Sequence, residues 1–135
     1  MGYSLLEHAA DLKIKVWGKN LLELFQDAAS ALYSVSADSP LPKPTQKSQK
    51  IKLEVEGKDQ ETLLVNFLNE LLYLSDVENQ GYQVIKLELK NNKLKAELLP
   101  YPLPPLKFEV KSATYHNLKI QKTKQGYEAV IVFDI

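Results

Sequence analysis

Residues 127–135, YEAVIVFDI, form an almost uninterrupted apolar run at the end of the sequence. Alternate side chains of an extended strand face opposite ways, so Val130 and Val132 share one face and three other apolar residues share the opposite face. A strand that is apolar on both faces is typical of the middle of a sheet whose two faces are covered. The segment therefore predicts a central strand, and it holds the carboxylates of Asp134 and Ile135 against the fold rather than in a frayed tail.

Composition restricts the class of protein. The chain has 135 residues, of which 44% are hydrophobic and 25% charged, as in one globular domain spanning residues 1–135. Lys+Arg and Asp+Glu both number 17, so no basic excess favours binding to duplex nucleic acid. The absence of cysteine excludes disulfides, thiol nucleophiles and cysteine-ligated metals. Nothing resembles a signal peptide or a membrane span, so we expect a cytoplasmic protein.

Two helices are predicted from their start signals and apolar stripes. Asn20 and Glu23 have the spacing of a capping box, and Asp59 is a suitable cap for a second helix. Each cap precedes apolar residues at the three- and four-residue spacing of a helix that buries one face. The two stripes comprise Leu21, Leu24, Phe25, Ala28, Ala29 and Leu32, and then Leu63, Leu64, Phe67, Leu68, Leu71 and Leu72.

The remaining segments read as strands and loops. Proline-rich stretches at 38–49 and 100–105 predict loops, and Asn91-Asn92 predicts a hairpin turn. Two strand–helix units followed by a run of strands predict an α+β domain, with two helices packed on a mostly antiparallel sheet. The predicted strands lie near 11–17, 51–55, 82–89, 93–99, 106–114, 117–123 and 127–134.

Carboxylates are the first candidates for a functional site, because the familiar phosphate-binding, dinucleotide-binding, zinc-protease and EF-hand motifs are missing. Asp11 begins the first predicted strand, and Asp134 and the Ile135 carboxylate end the last one. Carboxylate oxygens suit Ca²⁺, Mg²⁺ or Mn²⁺, and clustered carboxylates repel one another unless a cation lies among them. These three residues are therefore candidate ligands of a divalent cation.

Three further residues lie at the edges of predicted strands: His8, Lys111 and His116. Each residue taken alone is typical of an exposed or structural position. A histidine can also act as a general base, and a lysine can bind an anion. Their type and position leave both interpretations open.

Four segments of the chain resemble the archease family. They are HAADLKIKVWGKNLLELFQDAASAL (8–32), LLVNFLNELLYLSDVEN (63–79), VKSATYHNL (110–118) and VFDI (132–135). The segments occur in the order expected of the family and together extend over essentially the whole chain. The resemblance implies the archease fold.

The resemblance also implies a function. Archeases are non-catalytic accessory proteins that activate an RtcB-type tRNA-splicing ligase, by promoting its GTP-dependent histidine guanylylation and its turnover. The family holds a divalent cation, here expected to be Ca²⁺ with Mg²⁺ or Mn²⁺ as alternatives, and the matching ligands are Asp11, Asp134 and Ile135. His8, Lys111 and His116 are expected to surround the cation or face the ligase. RNA is expected to be contacted through the ligase, and no membrane is involved.

Two other functions remain open from the residues. A metal-dependent phosphohydrolase would hold its metal on Asp11 and Asp134 and use His116 as general base. A chaperone-like or RNA-binding module would instead use the lysines of the proline-rich loop. These lysines are Lys43, Lys47, Lys50 and Lys52.

Overall fold

The computed structural model describes residues 2–6, 11–44 and 49–135. His8 and Lys47, which the sequence analysis singled out, lie outside the described residues. The elements are β1 (Gly2–Leu5), β2 (Asp11–Gly18), α1 (Leu21–Ser36), β3 (Ile51–Glu56), α2 (Gln60–Glu78), β4 (Gln80–Lys90), β5 (Lys93–Pro102), β6 (Ser112–Thr114), β7 (Gln121–Thr123) and β8 (Gly126–Asp134).

Two antiparallel sheets enclose the two helices. The larger sheet has the order β1-β2-β8-β6, with β7 also paired to β8, and the smaller has the order β3-β5-β4. Each helix contacts both sheets: α1 packs on β2 and β4, and α2 packs on β6 and on β3. The rings of Phe25 and Phe67 stack at 6.4 Å between the helices. The predicted α+β class is confirmed, with two sheets where the sequence analysis expected one.

The last strand is central, as predicted. One edge of β8 pairs with β2, and the other edge pairs with β6 and β7. Ile131 and Phe133 are completely buried on the face that meets the helices. The opposite face is open, and Val130 is 37% exposed there. The prediction of cover on both faces is wrong, because both helices lie on the same side of this sheet.

Both predicted helix caps are present. The Asn20 side chain accepts a hydrogen bond from the Glu23 amide at 2.9 Å, while the Glu23 carboxylate accepts one from the Lys19 amide at 2.7 Å. Asp59 accepts a hydrogen bond from the Thr62 amide at 2.7 Å, and this bond lowers the pKa of the Asp59 carboxyl. Each cap satisfies amides that the first helical turn leaves unpaired.

The strand boundaries depart from the sequence prediction in four places. Of the strand predicted near 117–123 only β7 (Gln121–Thr123) forms, because the Leu118 amide closes a turn onto the Tyr115 carbonyl instead. β1 was not predicted, because its four residues are too short to show a period. β5 continues to Pro102, inside the predicted loop, since the missing proline amide costs little at a strand end. Residues 106–111 form no strand beyond an isolated antiparallel bridge between Leu106 and Ala37, because the amides of Lys107 and Phe108 both donate to the Ser36 carbonyl at the end of α1. The Asn91-Asn92 turn is confirmed, with positive φ at both residues.

A half-buried carboxylate on α1, that of Asp27, holds the start of β1. The Gly2 amide donates a hydrogen bond to Asp27, whose Oδ2 atom is buried and has no hydrogen-bond partner within the described ranges. Burial raises the pKa of Asp27, and attraction to the amino terminus opposes this increase only in part. The folded protein therefore binds a proton at Asp27 more tightly than the unfolded chain does.

Asp27→Asn is expected to raise the urea midpoint of unfolding at neutral pH, because it removes a charge whose burial is unfavourable while keeping an acceptor for Gly2. A raised folded-state pKa means that stability falls as pH rises above the ordinary value of 3.8. The advantage of the variant should therefore shrink as pH is lowered towards that value. Urea titrations of both proteins over this pH range measure the effect, and a variant less stable than wild type at neutral pH contradicts it.

Candidate metal centre

The pairing of three strands places two carboxylates and a hydroxyl in one row across the larger sheet. Asp11 on β2 lies opposite Asp134 on β8, and Asp134 lies opposite Ser112 on β6. Paired residues of antiparallel strands share a face. The next row, which includes Leu12 and Phe133, is buried against the helices. The row containing the two aspartates therefore lies on the open face.

The charges in this row are poorly balanced. Directly paired residues have Cβ atoms about 4.5–5.5 Å apart, where like charges are destabilising. Neither Asp11 nor Asp134 has an ion-pair partner among residues 2–6, 11–44 and 49–135. Ser112 Oγ donates a hydrogen bond to Asp134 Oδ2 at 3.3 Å, which is a weak compensation for two negative charges. A cation between the carboxylates would remove the repulsion, so the donor set fits a hard divalent ion.

The ligands available to such a cation are few. In the described part of the chain, no group of three or more His, Cys, Asp and Glu side chains could hold a metal. A Ca²⁺ ion takes six to eight oxygens, so Asp11 and Asp134 need further donors from main-chain oxygens, water or the Ile135 carboxylate. Ile135 is half-buried, packs against the core and follows Asp134 directly. The strand pairing thus brings Asp11 and Asp134 together, and Ile135 is the next residue along the chain.

Lys111 lies beside the carboxylates. Its amide donates a hydrogen bond to the Asp134 carbonyl at 2.8 Å, and its neighbour in the sequence is Ser112. The Lys111 side chain is exposed. It is available to an anionic group that approaches this end of β8.

His116 lies at the other end of β6, in the turn that the Leu118 amide closes onto the Tyr115 carbonyl. The adjacent Asn117 lines a small cavity with Lys15, which is four residues along β2 from Asp11. Four strand residues span about 13 Å. The structure therefore places the main chain of Lys111 beside Asp134, and the turn with His116 at the other end of β6.

An asparagine on α2 holds β6, the edge strand that carries Ser112. Asn69 Oδ1 accepts a hydrogen bond from the Ala113 amide at 2.7 Å, and Asn69 Nδ2 donates one to the Ala113 carbonyl at 3.1 Å. These two bonds imitate a further strand beside β6, whose opposite edge pairs with β8. The position of Ser112 beside Asp134 therefore depends on α2.

Two further side chains of α2 hold the segment that follows β6. Asn66 accepts a hydrogen bond from the Tyr115 hydroxyl at 2.7 Å, and Glu61 accepts one from the Ile120 amide at 3.0 Å. The sequence analysis did not identify Ser112 or these helical residues. The sequence feature that could have indicated the role of α2 is a pair of asparagines, Asn66 and Asn69, in a helix that is otherwise rich in leucine.

The comparisons with known proteins agree with this architecture. The model of the archease protein family (MTH1598/TM1083) matches residues 3–135. Protein archease of Archaeoglobus fulgidus is 33% identical over 147 residues, covering 100% of both chains. Protein archease of Pyrococcus abyssi is 38% identical over 138 residues, covering 96% of this chain and 95% of the relative. The two-helix, two-sheet domain with its paired carboxylates belongs to the archease family.

Solved structures show the same fold. The solution structure of Methanobacterium thermoautotrophicum protein 1598 superposes with a TM-score of 0.75 at 25% identity, covering 99% of each chain. A crystal structure from Thermotoga maritima, described as an archease and possible chaperone, has a TM-score of 0.67 at 20% identity and covers 96% and 94% of the two chains. Among the described residues, no helix is long and apolar enough to cross a membrane.

Asn69→Ala should lower the free energy of unfolding by about 1–3 kcal/mol, because it leaves the amide and carbonyl of Ala113 without partners in a partly buried place. Urea unfolding measures the change. Gln83→Ala, which truncates an exposed amide on β4, serves as the control and should have almost no effect. Equal loss in the two variants would show that the Asn69 bonds do not stabilise the edge of β6.

Proposed function

We propose that this protein activates an RtcB-type tRNA-splicing RNA ligase by promoting its GTP-dependent histidine guanylylation and its turnover. The protein itself carries out no catalytic step. The observation that supports this function best is the unbalanced pair of Asp11 and Asp134 on the open face of a sheet, in a chain that belongs to the archease family. The proposal places the protein in tRNA processing in the cytoplasm, with RNA contacted through the ligase.

Asp11, Asp134 and Ile135 are the residues that we propose as ligands of a divalent cation. Ca²⁺ is the first expectation, because a shell of carboxylate, carbonyl and water oxygens suits it, and Mg²⁺ or Mn²⁺ are the alternatives. A cation bound there would offset negative charge on a triphosphate or on acidic groups of the partner. The role of the carboxylates themselves is to hold the positive charge of the cation at the exposed end of β8.

Lys111 is the strongest candidate for a group that faces the ligase. It is exposed beside Asp134, and an ammonium group is attracted to phosphate oxygens. We also propose His116 as a partner-facing residue, at a separate contact, because its turn lies along the same sheet at a distance from the carboxylates. His8 precedes Asp11 by three positions and is proposed for the same role from the family resemblance.

The two alternatives have weaker support. A phosphohydrolase needs its general base within hydrogen-bond reach of the metal-bound water, and the His116 turn is about 13 Å along the sheet from the carboxylate row. The Thermotoga maritima relative is described as a possible chaperone. In the proline-rich loop, the described lysines Lys43 and Lys50 are exposed, as are most loop lysines.

Asp11→Asn is expected to stabilise the cation-free protein slightly and to abolish stabilisation by Ca²⁺. The variant removes one of two facing negative charges, so repulsion falls, and it also removes a ligand. Wild type at a free Ca²⁺ concentration 100 times its Kd should gain about 2.7 kcal/mol of unfolding free energy. Thermal unfolding with chelator and with Ca²⁺ measures both effects.

Glu88→Gln removes a carboxylate charge on the other sheet and is the control, which should respond to Ca²⁺ as wild type does. Equal Ca²⁺ stabilisation of Asp11→Asn and wild type would remove Asp11 from the cation site. Mn²⁺ and Mg²⁺ titrations of the wild type then rank the three ions.

The activating function is tested by transfer of radiolabelled GMP from GTP to a purified RtcB-type ligase, with and without this protein. We expect wild type to increase the rate of guanylylation, while Asp11→Asn does not, since the variant lacks a ligand at the proposed contact. Glu88→Gln should activate like wild type. The protein without ligase should consume no GTP. Unchanged guanylylation in the presence of wild type would overturn the proposal.

A further inference from the structure

A groove that adjoins the carboxylate row but includes neither Asp11 nor Asp134 lies between the C-terminal halves of the two helices and the segment 103–112. Its volume is about 750 Å³, which is large enough for several side chains. Its apolar lining comes from Leu32, Leu72, Leu103, Leu106, Phe108 and Val110. Two large side chains on its rim face solvent, since Tyr73 is 62% exposed and Leu106 is 46% exposed. Apolar surface of this kind is typical of a place that another molecule covers.

The walls of the groove are fixed by hydrogen bonds. The Asp38 amide donates to the Pro105 carbonyl at 3.0 Å, near the start of the 103–112 segment, and the Lys111 amide donates to Asp134 near its end. On the floor, Tyr33 Oη and Ser75 Oγ lie 2.7 Å apart and join the two helices. The groove is therefore preformed, which lowers the entropic cost of filling it.

The charge of the groove favours a cationic occupant. α1 ends at Ser36 and α2 at Glu78, and neither helix has a basic residue in its last turn to offset the negative end of its dipole. Asp76 and Glu109 line the groove and are exposed, and neither forms an ion pair within the described part of the chain. Among the described residues, Lys111 is the single basic side chain in the lining, and the Lys107 ammonium lies 5.6 Å from the centroid of the Phe108 ring.

We propose that this groove docks a segment of a partner protein that carries apolar side chains flanked by lysine or arginine. The apolar lining accepts the anchoring side chains, and the helix ends with Asp76 and Glu109 attract the flanking cations. A nucleic acid does not fit, because its phosphates would meet acidic groups and the negative ends of two helices. This proposal does not rest on ligase activation, since the groove includes neither Asp11 nor Asp134.

The test titrates the full chain into a fluorescein-labelled amphipathic peptide of leucine and lysine and follows fluorescence anisotropy. A leucine–glutamate peptide of the same pattern and a glycine–lysine peptide without apolar anchors are the matched probes. We expect binding of the leucine–lysine peptide only, with amide shifts in NMR spectra at Leu72, Leu106 and their neighbours. Binding of the glutamate peptide with equal affinity, or shifts confined to the carboxylate row, would overturn the proposal.

The variants separate charge in the groove from charge in general. The double variant Asp76→Lys with Glu109→Lys should weaken binding of the leucine–lysine peptide about tenfold or more, or ~1.4 kcal/mol. Its fold should survive, because a cation near the end of α2 is favourable to the helix dipole. Glu78→Lys makes one such acid-to-lysine change, half the charge change of the double variant, in the last turn of α2 and outside the groove lining, and should bind more nearly like wild type.

Two further measurements decide the remaining alternatives. Asp11→Asn should bind the peptide as tightly as wild type. The peptide measurement contains no ligase, so it can succeed even if the protein activates no ligase. Sedimentation velocity of the protein alone should show a single concentration-independent species. A dimer that the Asp76→Lys, Glu109→Lys variant dissociates would mean that a second copy of the chain fills the groove, and would overturn the proposal. A loss of peptide binding in Glu78→Lys as large as that in the double variant would also overturn the proposal.

Discussion

The pairing of β8 along both of its edges is the constraint on which the rest of the molecule depends. Register in a sheet is locked where one face is buried, because a slip of one residue exchanges the two faces. A slip at the end of β8 would expose Phe133 and bury Asp134 against the helices. Core packing therefore holds Asp134 on the open face, opposite Asp11, although the two carboxylates repel each other. The candidate site is a consequence of how the core is packed.

The second helix connects the core to both surfaces that we propose as functional. Its polar side holds β6 through Asn69, and with it the hydroxyl of Ser112 beside Asp134. Its C-terminal half forms one wall of the apolar groove. Lys111 and Ser112 line the groove and adjoin the carboxylate row, so the two surfaces are continuous. A partner large enough to reach the cation site could also extend into the groove.

Features that depend on neighbouring residues could be predicted from the sequence, and those that depend on the packing of elements could not. The caps at Asn20 and Asp59 and the Asn91-Asn92 turn are local, and all three are correct. The open face of β8 was missed because the period of a strand does not show on which side the helices lie. The role of Asn69 was missed for a related reason, since its partner is 44 residues away. The proposed ligands came from the family resemblance and from donor chemistry, and strand register then explains why Asp11 and Asp134 are adjacent.

The strand order also has a consequence for folding kinetics. Asp11 and Asp134 pair although they are more than 120 positions apart in the chain, whereas the smaller sheet is complete within residues 51–102. Contacts between distant segments form slowly, because a long loop must close before they gain any stability. We therefore expect the smaller sheet and α2 to assemble early and the ladder between β2 and β8 to close late. The two aspartates come together only in the last stage, so a partner that requires both of them selects the fully folded molecule over its folding intermediates.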